Sequence, residues 1–168
     1  MRRMLAALFL FCASLAQAST GGDFHRAPMI DKVLVLKSER SLHLISRGKT
    51  IKSYRVSLGK RPVGHKLREG DKRTPEGLYW IDWRKTSKKF NLSMHISYPN
   101  IRDQARARRE GVEPGGMIML HGTPDYEGYP EWYFEGLDWT DGCIALNNAD
   151  MREVWDLVPD DTLIEIRP

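Results

Sequence analysis

The sequence predicts a mainly β domain, of the β-rich α+β class, built as a curled sheet or sandwich with about two short helices. About seven short segments are apolar runs or alternate apolar and polar residues, and Gly, Pro, Asn and charged residues separate them. Only two segments are predicted to be helical, the first from its capping residues and the second from apolar residues at helical spacing. A chain of 168 residues is long enough for one such domain with a single hydrophobic core.

The first three predicted strands form a β-meander, because only short turns separate them. They cover residues 32–36, 42–45 and 50–58, and the later strands cover 78–83, 92–98, 117–120 and 162–166. Arg47-Gly48-Lys49 supplies the turn between the second and third strands. A long loop rich in Gly and charged residues follows, and it ends in Arg73-Thr74-Pro75-Glu76-Gly77, where Pro and Gly mark the entry into the next strand.

Capping residues predict where the two helices begin and end. Asn100 is the expected N-cap of the first helix, with Asp103 at its third position, and the helix should stop at Gly111. The second helix should begin after Asn147 or the next residue and continue to about Leu157.

The first residues are predicted to be an export signal rather than part of the fold. Arg2 and Arg3 precede an apolar run, and Ala16-Gln17-Ala18 has the small-x-small pattern of a cleavage site. The run is shorter than the roughly 20 residues that span a bilayer, so we expect no transmembrane segment. The expected organisation is a signal peptide over residues 1–18, cleaved after Ala18, a polar lead over 19–30 and one domain over 31–168.

Charge is unevenly distributed along the predicted mature chain. The whole sequence has 26 Lys and Arg against 22 Asp and Glu, a net charge of +4. Residues 19–120 carry 22 bases and 10 acids, or +12, and residues 121–168 carry 2 bases and 12 acids, or −10. Because a basic half balanced by an acidic half is not typical of a polyanion binder, and export separates the protein from nucleic acids, we expect no nucleic-acid partner.

Cys143 is the one cysteine of the predicted mature chain, and two short motifs suggest its role. It follows Gly142, while His121 ends a predicted strand and precedes Gly122. A thiol with an ordinary pKa of about 8.5 needs a base near neutral pH, and imidazole is the usual partner. The sequence therefore predicts Cys143 as a nucleophile and His121 as its base, with the backbone amides of Gly142 and Cys143 unpaired and forming an oxyanion hole. The alternative is a buried thiol that only fills space.

These motifs resemble those of the L,D-transpeptidase catalytic domain family, also called YkuD. The family pairs a strand-borne His-Gly or His-Ser with a downstream Ser/Thr-x-Gly-Cys, which is matched here by His121-Gly122 and Thr140-Asp141-Gly142-Cys143. Arg73-Thr74-Pro75-Glu76-Gly77 is similar to the family's Thr-Pro-x-Gly element. The resemblance covers roughly Lys32 to Pro168. The residues around the cysteine are similar to those of a subgroup of small, single-domain periplasmic members.

The resemblance implies a periplasmic cysteine acyltransferase that needs no metal or cofactor and acts on peptidoglycan tetrapeptide stems. Cys143 would form a thioester and release D-alanine, His121 would be the base, and the carbonyl of Gly122 would orient it. An amine would then accept the acyl group, which forms a 3-3 cross-link or attaches an envelope protein. Two alternatives stay open: hydrolysis, as an L,D-carboxypeptidase or an amidase that releases a wall-linked lipoprotein, and a non-catalytic wall-binding module.

Several residues are candidates for contacts with the substrate. Those predicted to bind it are Arg73, Thr140, Asp141, Tyr133 and Trp139. Many family members have a His at the position of Asp141 and an Arg at the position of Ala145, so recognition of the substrate's carboxylate should come from elsewhere. Further basic candidates share one face of the first predicted helix: Arg102, Arg106 and Arg109.

Six of the 16 aromatic residues lie within residues 126–139. They are Tyr126, Tyr129, Trp132, Tyr133, Phe134 and Trp139. One interpretation is a small hydrophobic core that holds a long loop in place. The other is a lid that excludes water from the thioester and grips the stem peptide or its sugar.

Overall fold

The computed structural model describes residues 28–124 and 129–168, and these form an eight-stranded sheet with two α-helices. The predicted signal peptide and the polar lead before Pro28 lie outside the described residues. The strands are β1 Lys32–Leu36, β2 Ser41–Ser46, β3 Lys49–Arg55, β4 Gly77–Ser87, β5 Asn91–Ile96, β6 Ile118–His121, β7 Ile144–Ala145 and β8 Thr162–Arg167. The helices are α1 Ile101–Glu110 and α2 Asn148–Leu157, and a 3₁₀ turn covers Glu131–Phe134. None of the helices in these two ranges is long and apolar enough to cross a membrane.

The strand order is β3-β2-β1-β8-β4-β5-β6-β7. The first three strands form the predicted antiparallel meander, and Arg47 and Gly48 both adopt positive φ in the two-residue turn between β2 and β3. The last strand, β8, lies between β1 and β4, parallel to the first and antiparallel to the second. The two short strands β6 and β7 pair in parallel at the far edge.

The sheet curls until its two edges meet. Ser57, just after β3, and Ala145 of β7 exchange backbone hydrogen bonds of 2.8 and 2.9 Å. A second bridge joins Gly59 to Thr140, supported by a 2.9 Å bond from the amide of Lys60 to the carbonyl of Thr140. The structure is therefore a curled sheet rather than a two-sheet sandwich, and the segment before Cys143 lies at the seam.

One continuous hydrophobic core fills the inside of the curl. Every second side chain of a strand points into this core. Helix α2 packs against the core through Met151 and Val154. The core members that are inaccessible to solvent come from all parts of the sheet, namely Val33, Val35, Leu42, Leu44, Leu58, Ile81, Met94, Ile96, Leu120, Ile144 and Ile164.

The helix predictions are confirmed by the capping geometry. The side chain of Asn100 accepts hydrogen bonds from the amides of Arg102 and Asp103, and the carboxylate of Asp103 accepts one from the amide of Asn100. Gly111 ends α1 in the left-handed conformation. Asn147 caps α2 by accepting from the amide of Asp150.

The strand predictions differ from the structure at the seam and at one hairpin. β3 ends at Arg55, because the segment after it leaves β2 and bridges to β7. β4 extends to Ser87, since its second half pairs with β5 across a β-bulge. The strand β7 has only two residues, too few to show an alternating apolar and polar pattern. It forms because β6 and Ser57 lie on either side of it.

Candidate active site

Parallel pairing of β6 with β7 brings the two sequence motifs together. Leu120 lies opposite Ile144 and both side chains are fully buried in the core. Because side chains alternate along a strand, His121 and its partner Ala145 face away from this core. Cys143 immediately precedes β7, so it lies beside the end of the strand that pairs with β6. The imidazole and the thiol thus belong to neighbouring segments at one edge of the sheet.

A backbone hydrogen bond determines which nitrogen of His121 carries a proton. Nδ1 lies 2.7 Å from the carbonyl oxygen of Gly122, and a carbonyl can only accept, so Nδ1 donates. In the neutral ring Nε2 is then unprotonated and able to act as a base. The family resemblance implied this contact. Gly122 has no room for a side chain, because an added Cβ would approach the carbonyl oxygen of Phe90 to 3.0 Å and would collide with the side chain of Asn148.

Two aromatic rings enclose His121, which is only 2% exposed. The ring of Phe90 lies 4.3 Å from the imidazole with a 35° tilt, and the ring of Trp139 meets it edge-on at 5.6 Å. Burial lowers the pKa of His121 to about 4; the hydrogen bond to Gly122 opposes this and the nearby charge of Lys89 adds to it. His121 is therefore a neutral base at physiological pH.

The thiol of Cys143 is partly exposed, and its Sγ lies 3.8 Å from the carbonyl oxygen of Met117. Burial raises the pKa of the Cys143 thiol and the carboxylate of Asp141 adds to the increase, while a hydrogen bond from the backbone of Met119 and the charge of Lys66 oppose it. Because both groups are shifted toward their uncharged forms, the pair rests as neutral thiol and neutral imidazole.

The side chain of Thr140 organises the turn that carries the thiol. Its Oγ1 donates to the carbonyl of Cys143 at 2.7 Å and accepts from the amide of Gly142 at 3.1 Å. This corrects two sequence predictions. The amide of Gly142 is paired and does not form an open oxyanion hole, and Thr140 is buried with its hydroxyl committed to the turn rather than presented to a substrate.

The Thr-Pro-Glu-Gly segment supports this turn from behind. Gly142 has φ of 130°, and an added Cβ would approach the carbonyl oxygen of Arg73 to 2.8 Å, so the two backbones are in direct contact. Thr74 is fully buried and accepts from the amide of Gly59 at 3.0 Å. The Nζ of buried Lys37 donates to the carbonyl of Thr74 at 3.0 Å and pairs with Glu76 at 2.8 Å.

Residues 129–139 of the aromatic-rich loop contain both buried and exposed rings. Phe134 is buried and packs on Trp139 at 5.1 Å, so these two rings form a small core that reaches His121. Tyr129, Trp132 and Tyr133 are between 46% and 69% exposed. Tyr126 lies outside the described residues. The indole Nε1 of Trp139 is buried and has no hydrogen-bond partner within the described parts of the chain.

Glu131 attaches this loop to the site, and no motif in the sequence points to this residue. Its Oε1 accepts from the hydroxyl of Thr123 at 2.9 Å and from the amide of Asn148 at the start of α2. Thr123 lies two residues after His121. Phe90 was also missed, although an aromatic residue at a hairpin tip rich in lysine is unusual and could have been noticed.

The remaining predicted residues lie around the site with different roles. Asp141 is exposed and pairs with Lys60 at 3.2 Å. Arg73 is partly exposed and its guanidinium lies against Gly64. Arg106 is held against the protein by a 2.9 Å bond to the carbonyl of Lys66, whereas Arg102 and Arg109 are exposed. In residues 28–124 and 129–168, no three His, Cys, Asp or Glu side chains are arranged to hold a metal ion.

Fold and site together define a curled β-sheet domain with a thiol and an imidazole on adjoining segments. The chain belongs to the L,D-transpeptidase catalytic domain family, YkuD, whose family model matches residues 30–166. This confirms the resemblance predicted from its motifs. The Escherichia coli K12 protein named "Putative L,D-transpeptidase YafK" is 27% identical over 132 residues, which cover 75% of this chain and 46% of that protein.

Solved structures share the fold. Bd1075 of Bdellovibrio bacteriovorus superposes with a TM-score of 0.60 at 26% identity, covering 84% of this chain and 49% of that one. The helical cell shape determining protein Pgp2 of Campylobacter jejuni gives 0.63 at 23% identity, covering 84% and 48%. An L,D-transpeptidase of Stackebrandtia nassauensis gives 0.53 at 15%, covering 90% and 62%. The chain spans about half the length of the relatives YafK, Bd1075 and Pgp2.

Proposed function

We propose that this protein is a cysteine-dependent acyltransferase of the L,D-transpeptidase type, acting on the tetrapeptide stems of peptidoglycan. The observation that carries the proposal is the register of β6 and β7, which brings the strand that ends in His121 beside the segment that follows the partly exposed Cys143. Membership of the family and the name of the relative YafK support the reaction class. The name of Pgp2 as a cell shape determining protein is consistent with a wall substrate.

In the acylation step, Sγ of Cys143 attacks the carbonyl between the third and fourth residues of the stem. Because the resting pair is neutral, Nε2 of His121 takes the thiol proton as the C–S bond forms rather than beforehand. The imidazolium then gives this proton to the departing amine, the C–N bond breaks, and D-alanine leaves a thioester on Cys143. The carbonyl of Gly122 stabilises the transient imidazolium through its bond to Nδ1.

The second step returns the enzyme to its starting state. An amine attacks the thioester carbonyl, the C–S bond breaks, and the proton from the amine passes through His121 to the sulfur. The product is a new amide, either a 3-3 cross-link or a wall-attached protein. Trp139 packs on His121 and Phe134 packs on Trp139, and in this scheme we expect the aromatic loop to favour transfer over hydrolysis by limiting the access of water to the thioester.

Substrate contacts are proposed for the groups that remain available around the thiol. The indole Nε1 of Trp139 is a buried donor without a partner among the described residues, and a carbonyl of the bound stem would satisfy it. Arg73 and Asp141 are partly or fully exposed beside the turn, and Tyr133 extends the aromatic surface outward. The amide of Cys143 is the remaining proposed oxyanion donor.

Location and processing follow from the same proposal. A wall substrate lies outside the cytoplasm, and residues 1–18 have the composition of an export signal that is cleaved after Ala18. We expect the mature protein in the periplasm. N-terminal sequencing of the protein recovered from a periplasmic extract should begin at Ser19.

Product analysis tests the proposed reaction. Purified disaccharide tetrapeptide incubated with the protein should give cross-linked dimers and free D-alanine. Tripeptides without dimers would identify hydrolysis instead, and release of a peptide from a wall-linked lipoprotein fragment would identify an amidase. Unchanged substrate would support a non-catalytic wall-binding module.

A further inference from the structure

Three large apolar side chains on β4 are open to solvent and form a strip along the outer face of the sheet. Leu78, Trp80 and Trp83 are between 36% and 57% exposed. Their neighbours Tyr79 and Ile81 are buried in the core, so the strip lies on the opposite face of the strand. Contiguous exposed apolar surface of this kind marks a binding site. We call these three residues the β4 strip.

A β-bulge turns Trp83 toward this face. Ile81 pairs with Ile96 and Trp83 pairs with His95, so Asp82 is the extra residue of β4. Without the bulge, alternation would put Trp83 on the core face together with Ile81. Bulges are frequent next to functional sites, where they redirect a side chain. The exposure of Trp83 therefore comes from a specific irregularity of the backbone.

Hydrogen-bonding groups border the exposed rings. The ring of Trp83 stacks on His95, with the centroids 4.6 Å apart and an angle of 11° between the planes. Nδ1 of His95 lies 2.6 Å from a carboxylate oxygen of Asp82, so Nδ1 donates and Nε2 of the neutral ring is an acceptor. Nζ of Lys85 lies over the Trp83 ring, 5.5 Å from its centroid. Donors and acceptors thus lie beside an apolar surface.

Strand register puts the β4 strip on the face that carries His121. Residues directly opposite each other in antiparallel strands share a face. Lys85 pairs with Ser93, and Ser93 pairs with His121, so these side chains form one row across β4, β5 and β6. The adjacent row consists of Trp83, His95 and Met119. Of this second row, Trp83 is the exposed end, while Met119 is buried.

The distance from the β4 strip to the thiol is close to the length of a stem peptide. Sγ of Cys143 lies at the edge of β6, where it contacts the backbone of Met117 and Met119. β5 lies between β6 and β4, so two strand spacings, about 10 Å, separate them. In the proposed reaction the attacked carbonyl belongs to the third residue of the stem, and three extended residues span about 10 Å. A stem extended across β5 would therefore place its sugar over the strip.

We propose that Trp80 and Trp83 bind the sugar that carries the stem peptide, with the C–H face of a pyranose ring against the indole rings. The electron-rich face of an indole attracts such C–H groups, and His95, Asp82 and Lys85 are placed to bond the hydroxyl and amide groups of the sugar. The inference rests on the proposed function and adds a specificity to it: the enzyme recognises the glycan as well as the stem. A membrane surface or a second copy of the chain also covers apolar rings, but neither accounts for their position one stem length from the thiol.

Sugar binding to the Cys143→Ala protein tests the site without any chemistry. The probe is the peptide-free disaccharide of N-acetylglucosamine and N-acetylmuramic acid, and the readout is the chemical shift of each indole N–H. We expect changes at Trp80 and Trp83 and none at Trp155, which packs against Arg84. No change at Trp80 and Trp83 at disaccharide concentrations up to about 20 mM would overturn the proposal.

Substitution of the two rings tests whether they act through the sugar. Trp80→Ala and Trp83→Ala should each lower kcat/KM for a disaccharide tetrapeptide by about three- to tenfold, the effect of losing one aromatic contact. The same variants should change kcat/KM for the tetrapeptide without sugar by less than about twofold. Trp80→Phe and Trp83→Phe keep a ring and should retain more activity on the sugar-bearing substrate than the Ala variants.

Ile51→Ala is the matched control for these substitutions. Ile51 is an apolar strand residue as exposed as Trp83, and it lies on β3, at the other end of the sheet order. Its removal should leave kcat/KM for both substrates unchanged. Equal losses on the two substrates in Trp80→Ala and Trp83→Ala would overturn the proposal, because the rings would then act on the peptide or on the fold.

Other occupants of the β4 strip give different results. A dimer in sedimentation, or binding to phosphatidylglycerol vesicles, that is lost in Trp80→Ala would overturn the proposal if the disaccharide changes neither indole signal. Acyl-enzyme formation by wild-type protein with a tetrapeptide stem is measured separately. Acylation without sugar binding overturns this inference alone, and sugar binding without acylation overturns the proposed function alone.

Discussion

Nδ1 of His121 lies 2.7 Å from the carbonyl oxygen of Gly122, and this bond leaves Nε2 as the basic nitrogen of the pair. The partner is backbone rather than a carboxylate, and among the described residues no anionic side chain raises the pKa of the ring. Burial acts in the opposite direction and dominates. The proposed reaction therefore starts from an uncharged thiol and an uncharged imidazole, and this has consequences that can be measured.

The pH dependence of kcat/KM should report the lowered pKa of His121. The base must be neutral, and it becomes protonated as the pH falls through its pKa of about 4. We therefore expect activity to persist at pH 5 and to fall only near 4, with His121→Gln inactive throughout. An acid limb near 6.5, the ordinary value for histidine, would contradict this reading of the site.

Removal of the Phe90 ring that covers His121 should raise the pH at which kcat/KM falls on the acid side. Phe90→Ala exposes the imidazole to water, which removes part of the burial that lowers its pKa. The limb should rise toward the ordinary value of about 6.5, and the change should destabilise the fold by about 1 to 3 kcal/mol because the ring is only partly buried. Phe90→Leu is the control that keeps most of the cover. If the acid side of the pH profile is unchanged in a folded Phe90→Ala protein, burial by Phe90 is not the cause of the low pKa of His121.

The hydroxyl of Thr140 should matter through the shape of the turn. Thr140→Val keeps the volume but removes both the donor to Cys143 and the acceptor for the Gly142 amide. We expect a loss of about 1 to 3 kcal/mol in stability and a fall in kcat of about tenfold or more, with KM less affected. Thr140→Ser retains the hydroxyl and should restore most of kcat. If Ser rescues no better than Val, the two hydrogen bonds are not what positions the thiol.

Loss of the anchor on the aromatic loop should change the fate of the thioester. Glu131→Ala removes the acceptor that joins the loop to Thr123 and to the start of α2. Water should reach the thioester more easily, so the ratio of tripeptide to dimer should rise while the rate of D-alanine release stays within about threefold. Glu39→Ala, on the turn between β1 and β2, is a distant control. An unchanged ratio would mean that this contact does not control access of water.

Local signals predicted the parts of the fold that depend on nearby residues. Asn100, Asp103 and Gly111 cap α1 through contacts within the helix itself, and so its bounds could be predicted from the sequence alone. β7 could not be predicted, because Ile144 and Ala145 become a strand only through β6 and Ser57, which are distant in the chain.

In the site, too, some features depend on neighbouring residues and others on residues distant in the chain. The proposed pairing of His121 with Cys143 comes from two sequence motifs, and the carbonyl that binds the imidazole belongs to Gly122, the next residue in the chain. The state of His121 depends on Phe90, which lies on a different hairpin, and the state of the Gly142 amide depends on the rotamer of Thr140. Protonation and hydrogen bonding are set by tertiary packing, which a residue pattern does not contain.

The central claim is that Cys143 becomes acylated by the stem peptide, and intact-protein mass measurement tests it most directly. Wild-type protein mixed with a disaccharide tetrapeptide and quenched in acid should gain the mass of the substrate minus D-alanine, with the adduct located on the peptide that contains Cys143. Cys143→Ala should show no adduct while keeping its thermal stability. An adduct on the Cys143→Ala protein would contradict the account. So would the absence of any adduct on wild-type protein in samples quenched at several early times, if that protein still releases D-alanine.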